Sequence, residues 1–184
     1  MGCRGYSFRK NNFLNREALV NMNSVAVLPF HNISESLNAG VIISNMIIAE
    51  LVREDKFSVV KYGDVRNFFL QRRLTSVSTI DVETLRALRQ EFKVDIVIIG
   101  TVLHYEDDEG IKDRNRENRT RIPYVAITST ILDTRSGRIV GKGEFVERGS
   151  AKGYLLTNKQ RQDTFSLAQK LAQRLVAVIN TDGA

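Results

Sequence analysis

Val94-Asp95-Ile96-Val97-Ile98-Ile99-Gly100-Thr101-Val102-Leu103 is an almost unbroken apolar run with one carboxylate near its start. A strand exposed on one face alternates apolar and polar residues, whereas a strand covered on both faces has no need to. Six β-branched aliphatic residues in this stretch favour a pleated backbone over a helix. The run therefore predicts a central strand with material packed on both sides of its sheet, and the remaining chain is read by how it supplies those layers.

Immediately upstream, Leu85, Leu88 and Phe92 recur at helical spacing within Val82 to Phe92, and Thr79 or Asp81 can cap that helix. Before it, Asp64 can cap a short helix from Val65 to Leu74, and Phe57 to Tyr62 reads as a strand. Val41 to Arg53 is helical, with Ile43, Ile47 and Leu51 on one stripe and Val41, Ile48 and Val52 on another. Together these cover more than half its circumference, so the helix needs cover on two sides: the sheet, and a neighbouring helix or partner subunit. The first strand, Ser24 to Phe30, runs into Pro29.

Downstream of the central run, Tyr124 to Asp133 alternates as an antiparallel strand does. Asp133-Thr134-Arg135-Ser136-Gly137 then supplies a hairpin turn into Arg138 to Glu147. Asp163 to Ile179 carries Phe165, Ala168, Leu171, Ala172, Leu175, Val178 and Ile179 as an amphipathic helix that docks on the sheet. The order β-α-β-α-α-β-β-β-α predicts an α/β fold: a mixed sheet of about five strands with helices packed on it.

The 184 residues suit one domain, assigned to 24–180, with a basic amino-terminal arm over 1–23 and a tail over 181–184. No stretch approaches the roughly 20 apolar residues of a membrane-spanning helix. A formal charge of +6 raises the question of nucleic acid, but its cations are dispersed. Arg4, Arg9, Lys10 and Arg16 lie in the arm, Arg72 and Arg73 form an isolated pair, and Glu106 to Arg121 alternates in sign. Nucleic-acid binding requires a continuous basic stripe and is the weaker reading.

Residues able to do chemistry are sparse. His31 and His104 stand at strand ends, where α/β sites gather, but neither has Cys, Asp or Glu at metal-ligand spacing. The acidic run Glu106-Asp107-Asp108-Glu109 lacks the pattern of a calcium loop. Gly137-Arg138-Ile139-Val140-Gly141-Lys142-Gly143 has the wrong glycine spacing for a phosphate loop, and Gly143 stands where Ser or Thr is needed. The expectation is a non-enzyme, with no catalytic, cofactor or metal residues, no cofactor and no small-molecule substrate.

Cys3 is the one cysteine, so the chain forms no internal disulfide. It follows the small residue Gly2 and precedes a polar, basic arm, as the modified cysteine of a mature bacterial lipoprotein does. An apolar leader ahead of Cys3 would be required for that fate. Myristoylation of Gly2 calls for Ser or Thr at the sixth position, where Tyr6 stands, and a plain surface thiol is the remaining alternative.

Val25-Ala26-Val27-Leu28-Pro29-Phe30-His31-Asn32 resembles the opening strand of the CsgG-like and TolB amino-terminal domains of bacterial envelope proteins. Asp95 to Val102 resembles their central strand, and Thr130 to Val140 their final hairpin with its Asp-x-x-x-Gly turn. The resemblance runs from about Ser24 to Ile179. It implies binding or assembly rather than catalysis, in a group that includes the curli secretion channel and LpoB, the lipoprotein activator of penicillin-binding proteins. It also implies lipidation at Cys3 and a periplasmic location anchored to the outer membrane. Channel members carry long amphipathic hairpins, whereas Glu106 to Arg121 is almost wholly charged, so a membrane pore is not expected. The resulting expectation is a lipoprotein scaffold or secretion-associated component acting on itself or an envelope partner. The alternatives are an activator of a cell-wall synthase and, further off, a cytoplasmic nucleic-acid-binding protein or a small enzyme.

Overall fold

A computed structural model describes residues 13–73, 80–106, 123–149 and 163–180. The predicted central strand is β5, Ile96–Glu106. On one side it pairs antiparallel with β6, Tyr124–Asp133, which pairs with β7, Ile139–Arg148. On the other it pairs parallel with β2, Ser24–Val27, and β2 pairs parallel with β4, Ser58–Val59. Two short strands add to the five expected: β1, Phe13–Leu14, on the free edge of β7, and β3, His31–Asn32, farther along β5. Among the described residues the sheet order is β1-β7-β6-β5-β2-β4, with β3 beside β5.

Helices cover both faces, as the lack of alternation in β5 requires. On one face α2, Ala39–Glu54, and α5, Thr164–Asn180, pack side by side over Val25, Val27, Ile96, Ile98, Val102, Ile127 and Ile131. On the other, α3, Tyr62–Gln71, and α4, Val82–Phe92, bury Phe68, Phe69, Leu85 and Leu88 against Ala26, Leu28, Val97 and Leu132. Neighbouring residues of β5 thus serve opposite cores: Ile96 and Ile98 one, Val97 the other.

Several local readings shift. Residues 13–23, read as the end of the amino-terminal arm 1–23, carry regular structure: after β1, Asn15 caps a short helix α1, Arg16–Leu19, whose Leu19 is buried in the α2/α5 core. Helix α3 begins at Tyr62, with Lys61 at its N-cap, so Asp64 lies in the first turn and is not the cap. Asp81, rather than Thr79, caps α4 by accepting the Thr84 N–H at 2.7 Å. Phe165, counted with the docking face of α5, is 59% exposed, and Leu167 with Ala168 takes the inward place.

The first predicted strand breaks where Pro29 cannot donate to the ladder. Leu28 N–H still reaches the Ile98 carbonyl, at 2.9 Å. Phe30 N–H turns instead to the buried hydroxyl of Ser44 in α2, at 3.0 Å, and Ser44 in turn donates to the Gly40 carbonyl. Pairing resumes at β3, with Ile33 N–H on the Val102 carbonyl. The detour drops the Phe30 ring onto Gly100 of β5, where a Cβ would overlap both that ring and the Thr128 carbonyl oxygen.

Gly100→Ala is expected to destabilise the protein by about 2 to 3 kcal/mol through overpacking, measured by urea denaturation. Gly63→Ala at the start of α3, where a Cβ meets open space, is the control and should be neutral or stabilising by at most about 1 kcal/mol.

Candidate contact surface

The fold disperses the residues that the sequence offered for chemistry. Cys3 and Asp107 to Glu109 lie outside the described residues. His31 is exposed on β3, opposite Thr101. His104 is exposed on β5 beyond a register shift between Val102 and His104. No hydrogen bond, ion pair or ring contact joins the two among the described residues. His104 instead meets Tyr124 at a tilt of 48°, ring centroids 5.2 Å apart, and the Arg148 guanidinium sits 4.7 Å from the centre of that same ring. This cross-strand row ties β5, β6 and β7 together at the end of the sheet. Among the described residues no group of three or more His, Cys, Asp and Glu is placed to hold a metal ion, and no helix is long and apolar enough to cross a membrane.

The best-connected carboxylate is Asp95, the lone charge in the central run. It accepts from Asn23 N–H at 3.0 Å, from the Ser24 hydroxyl at 3.0 Å and from the Arg89 guanidinium at 3.0 Å. Beside it, the buried Thr134 hydroxyl donates to the Val94 and Asp95 carbonyls. One side chain thus joins the start of β2, the start of β5 and α4, next to the end of β6. Burial alone would raise its pKa, but the donors from Asn23, Ser24 and Arg89 prevail and hold it below the ordinary carboxylate value. This is a structural latch, since every partner is a protein group within the fold.

The hairpin between β6 and β7 is closed in the same polar manner. Asp133 accepts the Arg135 N–H and the Ser136 hydroxyl, and its carbonyl accepts Gly137 N–H at 2.8 Å. Gly137 has φ +72°, and a Cβ there would also meet Val82 of α4 at 2.7 Å. The glycines once compared with a phosphate loop are therefore a turn residue and two strand residues, Gly141 and Gly143 of β7.

What remains open is apolar surface on α2. Ile43, Ile47 and Leu51 are fully buried against the sheet, and α5 covers one flank. The second apolar stripe stays outside: Val41 is 48% and Val52 58% exposed, with Ile48 half-buried between them. Leu37, four residues before Val41 and ahead of the helix, is 94% exposed, and Ile33 is 59% exposed. Sheet edges offer less, since β1 and β4 are two residues each. Sequence periodicity found the α2 stripe; Ile33 and Leu37 lie in an irregular segment, where no period exists to reveal them.

This architecture matches solved structures over nearly the whole chain. The PelC dodecamer from Paraburkholderia phytofirmans superposes with a TM-score of 0.62 at 15% identity, over 94% of this chain and 97% of that one. The likeness is one of fold. Lipoprotein GNA1162 from Neisseria meningitidis follows at TM-score 0.54 and 22% identity, over 85% of this chain and 97% of that one. The LpoB carboxy-terminal domain from Escherichia coli, at TM-score 0.48 and 12% identity over 73% of this chain and 95% of its own, superposes too loosely to carry the assignment. No protein-family model and no curated protein matches the chain by sequence.

Because the folded pKa of Asp95 is depressed, its contribution is fully present above the unfolded value near 3.9 and is lost as pH falls through the folded value. Asp95→Ala should cost about 2 to 3 kcal/mol at pH 7. Chemical denaturation of both proteins at a series of pH values should show the gap narrowing below pH ~4. A gap independent of pH would mean that Asp95 contributes only through packing.

Proposed function

We propose that this protein is a non-catalytic lipoprotein of the bacterial envelope. In this reading it is anchored through Cys3, on the periplasmic side of the outer membrane, and acts as a scaffold by associating with further copies of itself. The observation that carries the contact reading is the outer stripe of α2, where Val41, Ile48 and Val52 lie along one side of a helix whose other side is core, with exposed Leu37 in the segment just before it. A row of large apolar residues left in water on a regular element is surface awaiting a partner. Charge on Arg53 and Glu54 at the end of the helix gives that stripe a polar rim, as association surfaces have.

Support for self-association as the occupant comes from the fold, which is shared with a protein solved as a dodecamer. Support for the anchor comes from the Gly2-Cys3 pair and the cations Arg4, Arg9 and Lys10 that follow it. Acyl chains on Cys3 would bury methylene groups in the bilayer, and the basic arm would add attraction to anionic headgroups.

Val41→Asp combined with Val52→Asp is expected to shift the unlipidated protein from a concentration-dependent oligomer to a monomer in analytical ultracentrifugation. Its unfolding free energy should change by no more than about 1 kcal/mol. A wild-type chain that stays monomeric at high concentration would refute self-association, and recovery of a penicillin-binding protein through the same stripe would then favour the cell-wall reading. Cys3→Ser, expressed from the native reading frame, should abolish labelling by radioactive palmitate and release the protein from the membrane fraction; unchanged fractionation would sink the anchor.

A further inference from the structure

Ser129 of β6 stands opposite Gly143 of β7, and Gly100 of β5 continues the same row on the other side. Ser129 is two residues from both Ile127 and Ile131, which belong to the α2/α5 core, so strand alternation turns the row toward α5. Small residues in line leave room, and a close-packed interior has to account for it. Over Gly100 the Phe30 ring takes that room, and over Gly141 the ends of Leu14 and Ile131 do. Beside them a cavity of about 300 Å³ lies between Ser129 and Gly143 of the sheet and Leu175, Val178 and Ile179 of α5.

Leu14, Ile131 and Phe145 complete an apolar wall, which Ser129 interrupts. That residue is 2% exposed, and its hydroxyl is buried with no hydrogen-bond partner. Such a hydroxyl has given up water and gained no bond in return, which native interiors rarely tolerate unless a further group completes the pair. The two cations along the edge do not change this chemistry. Arg16 already has an interaction within the protein. Lys142, paired with Phe13 and Thr130, projects from the sheet face opposite to that of Gly143. None of the described lining residues is acidic.

We propose that this cavity binds one small neutral molecule, an apolar body carrying a single hydroxyl or carbonyl group that pairs with Ser129. Size limits the body: the volume is about twice that of an apolar cavity that accepts benzene, so roughly ten non-hydrogen atoms fit. Neutrality follows from the walls, because an ion brought between them would shed its water and meet no opposite charge. The polar group follows from Ser129. A pure hydrocarbon would leave that hydroxyl unsatisfied, whereas a ligand oxygen can accept its proton. The ligand is held and not transformed, and the site is independent of the α2 stripe.

Titration of the full, unlipidated chain with 1-octanol, followed through the methyl NMR signals of Leu175, Val178 and Ile179, tests the site. Those signals should shift saturably with one octanol per chain, and octanoate and octylammonium should each bind at least about tenfold more weakly. Ser129→Ala should weaken octanol binding about tenfold while leaving the binding of butylbenzene, a hydrocarbon of similar size, undiminished. Val178→Phe, which fills the cavity, should abolish the octanol shifts; if that variant misfolds, Ser129→Ala decides alone. Methyl signals that octanol does not move, or octanoate or octylammonium binding as tight as octanol, would overturn the proposal. So would octanol binding that Ser129→Ala leaves unchanged, or a loss in that variant that is equal for butylbenzene, since the hydroxyl would then have no part in recognition.

Discussion

A strand that is apolar on both faces can exist only if both faces are covered and both of its edges are paired. β5 meets that condition with β2 and β3 on one side, β6 on the other, α2 and α5 above and α3 and α4 below. Nearly every other feature follows from it. The parallel partners β2 and β4 require helical crossovers, which supply α2, α3 and α4, while antiparallel neighbours such as β6 and β7 can be joined by a short hairpin. The two-residue edge strands end the sheet before it presents a long unpaired ladder.

Polar groups in this molecule are spent on that construction. Asp95 joins three elements at one end of β5, Ser44 takes up the N–H that Pro29 displaces from the ladder, and Asp133 folds the hairpin turn back on itself. His104 and Arg148 both contact the Tyr124 ring across the strands. Among the described residues, surplus capacity lies in apolar surface instead, along the outer stripe of α2.

Fold and contact surface were legible to different degrees. Element order, the two-sided burial of β5, the Asp133-to-Gly137 hairpin and the second apolar stripe of α2 were all readable, because each depends on near neighbours in sequence or on a simple period. On α5 the reading found Ala168, Leu171, Ala172, Leu175 and Ile179, but it included Phe165, which is exposed, and omitted Leu167 and Val176, which are buried. β1 and β3 were not readable: two residues carry no period, and their strand conformation comes wholly from the ladders of β7 and β5.

The sequence by itself determined the layers, because hydrophobic period and turn chemistry are local properties that water enforces on any chain of this composition. Only the tertiary structure decided which apolar residues would be left over. Whether Val52 is covered by a helix and whether Phe30 reaches Gly100 both depend on how whole elements meet. That geometry is set by contacts between residues dozens of positions apart, and no pattern along the chain encodes it.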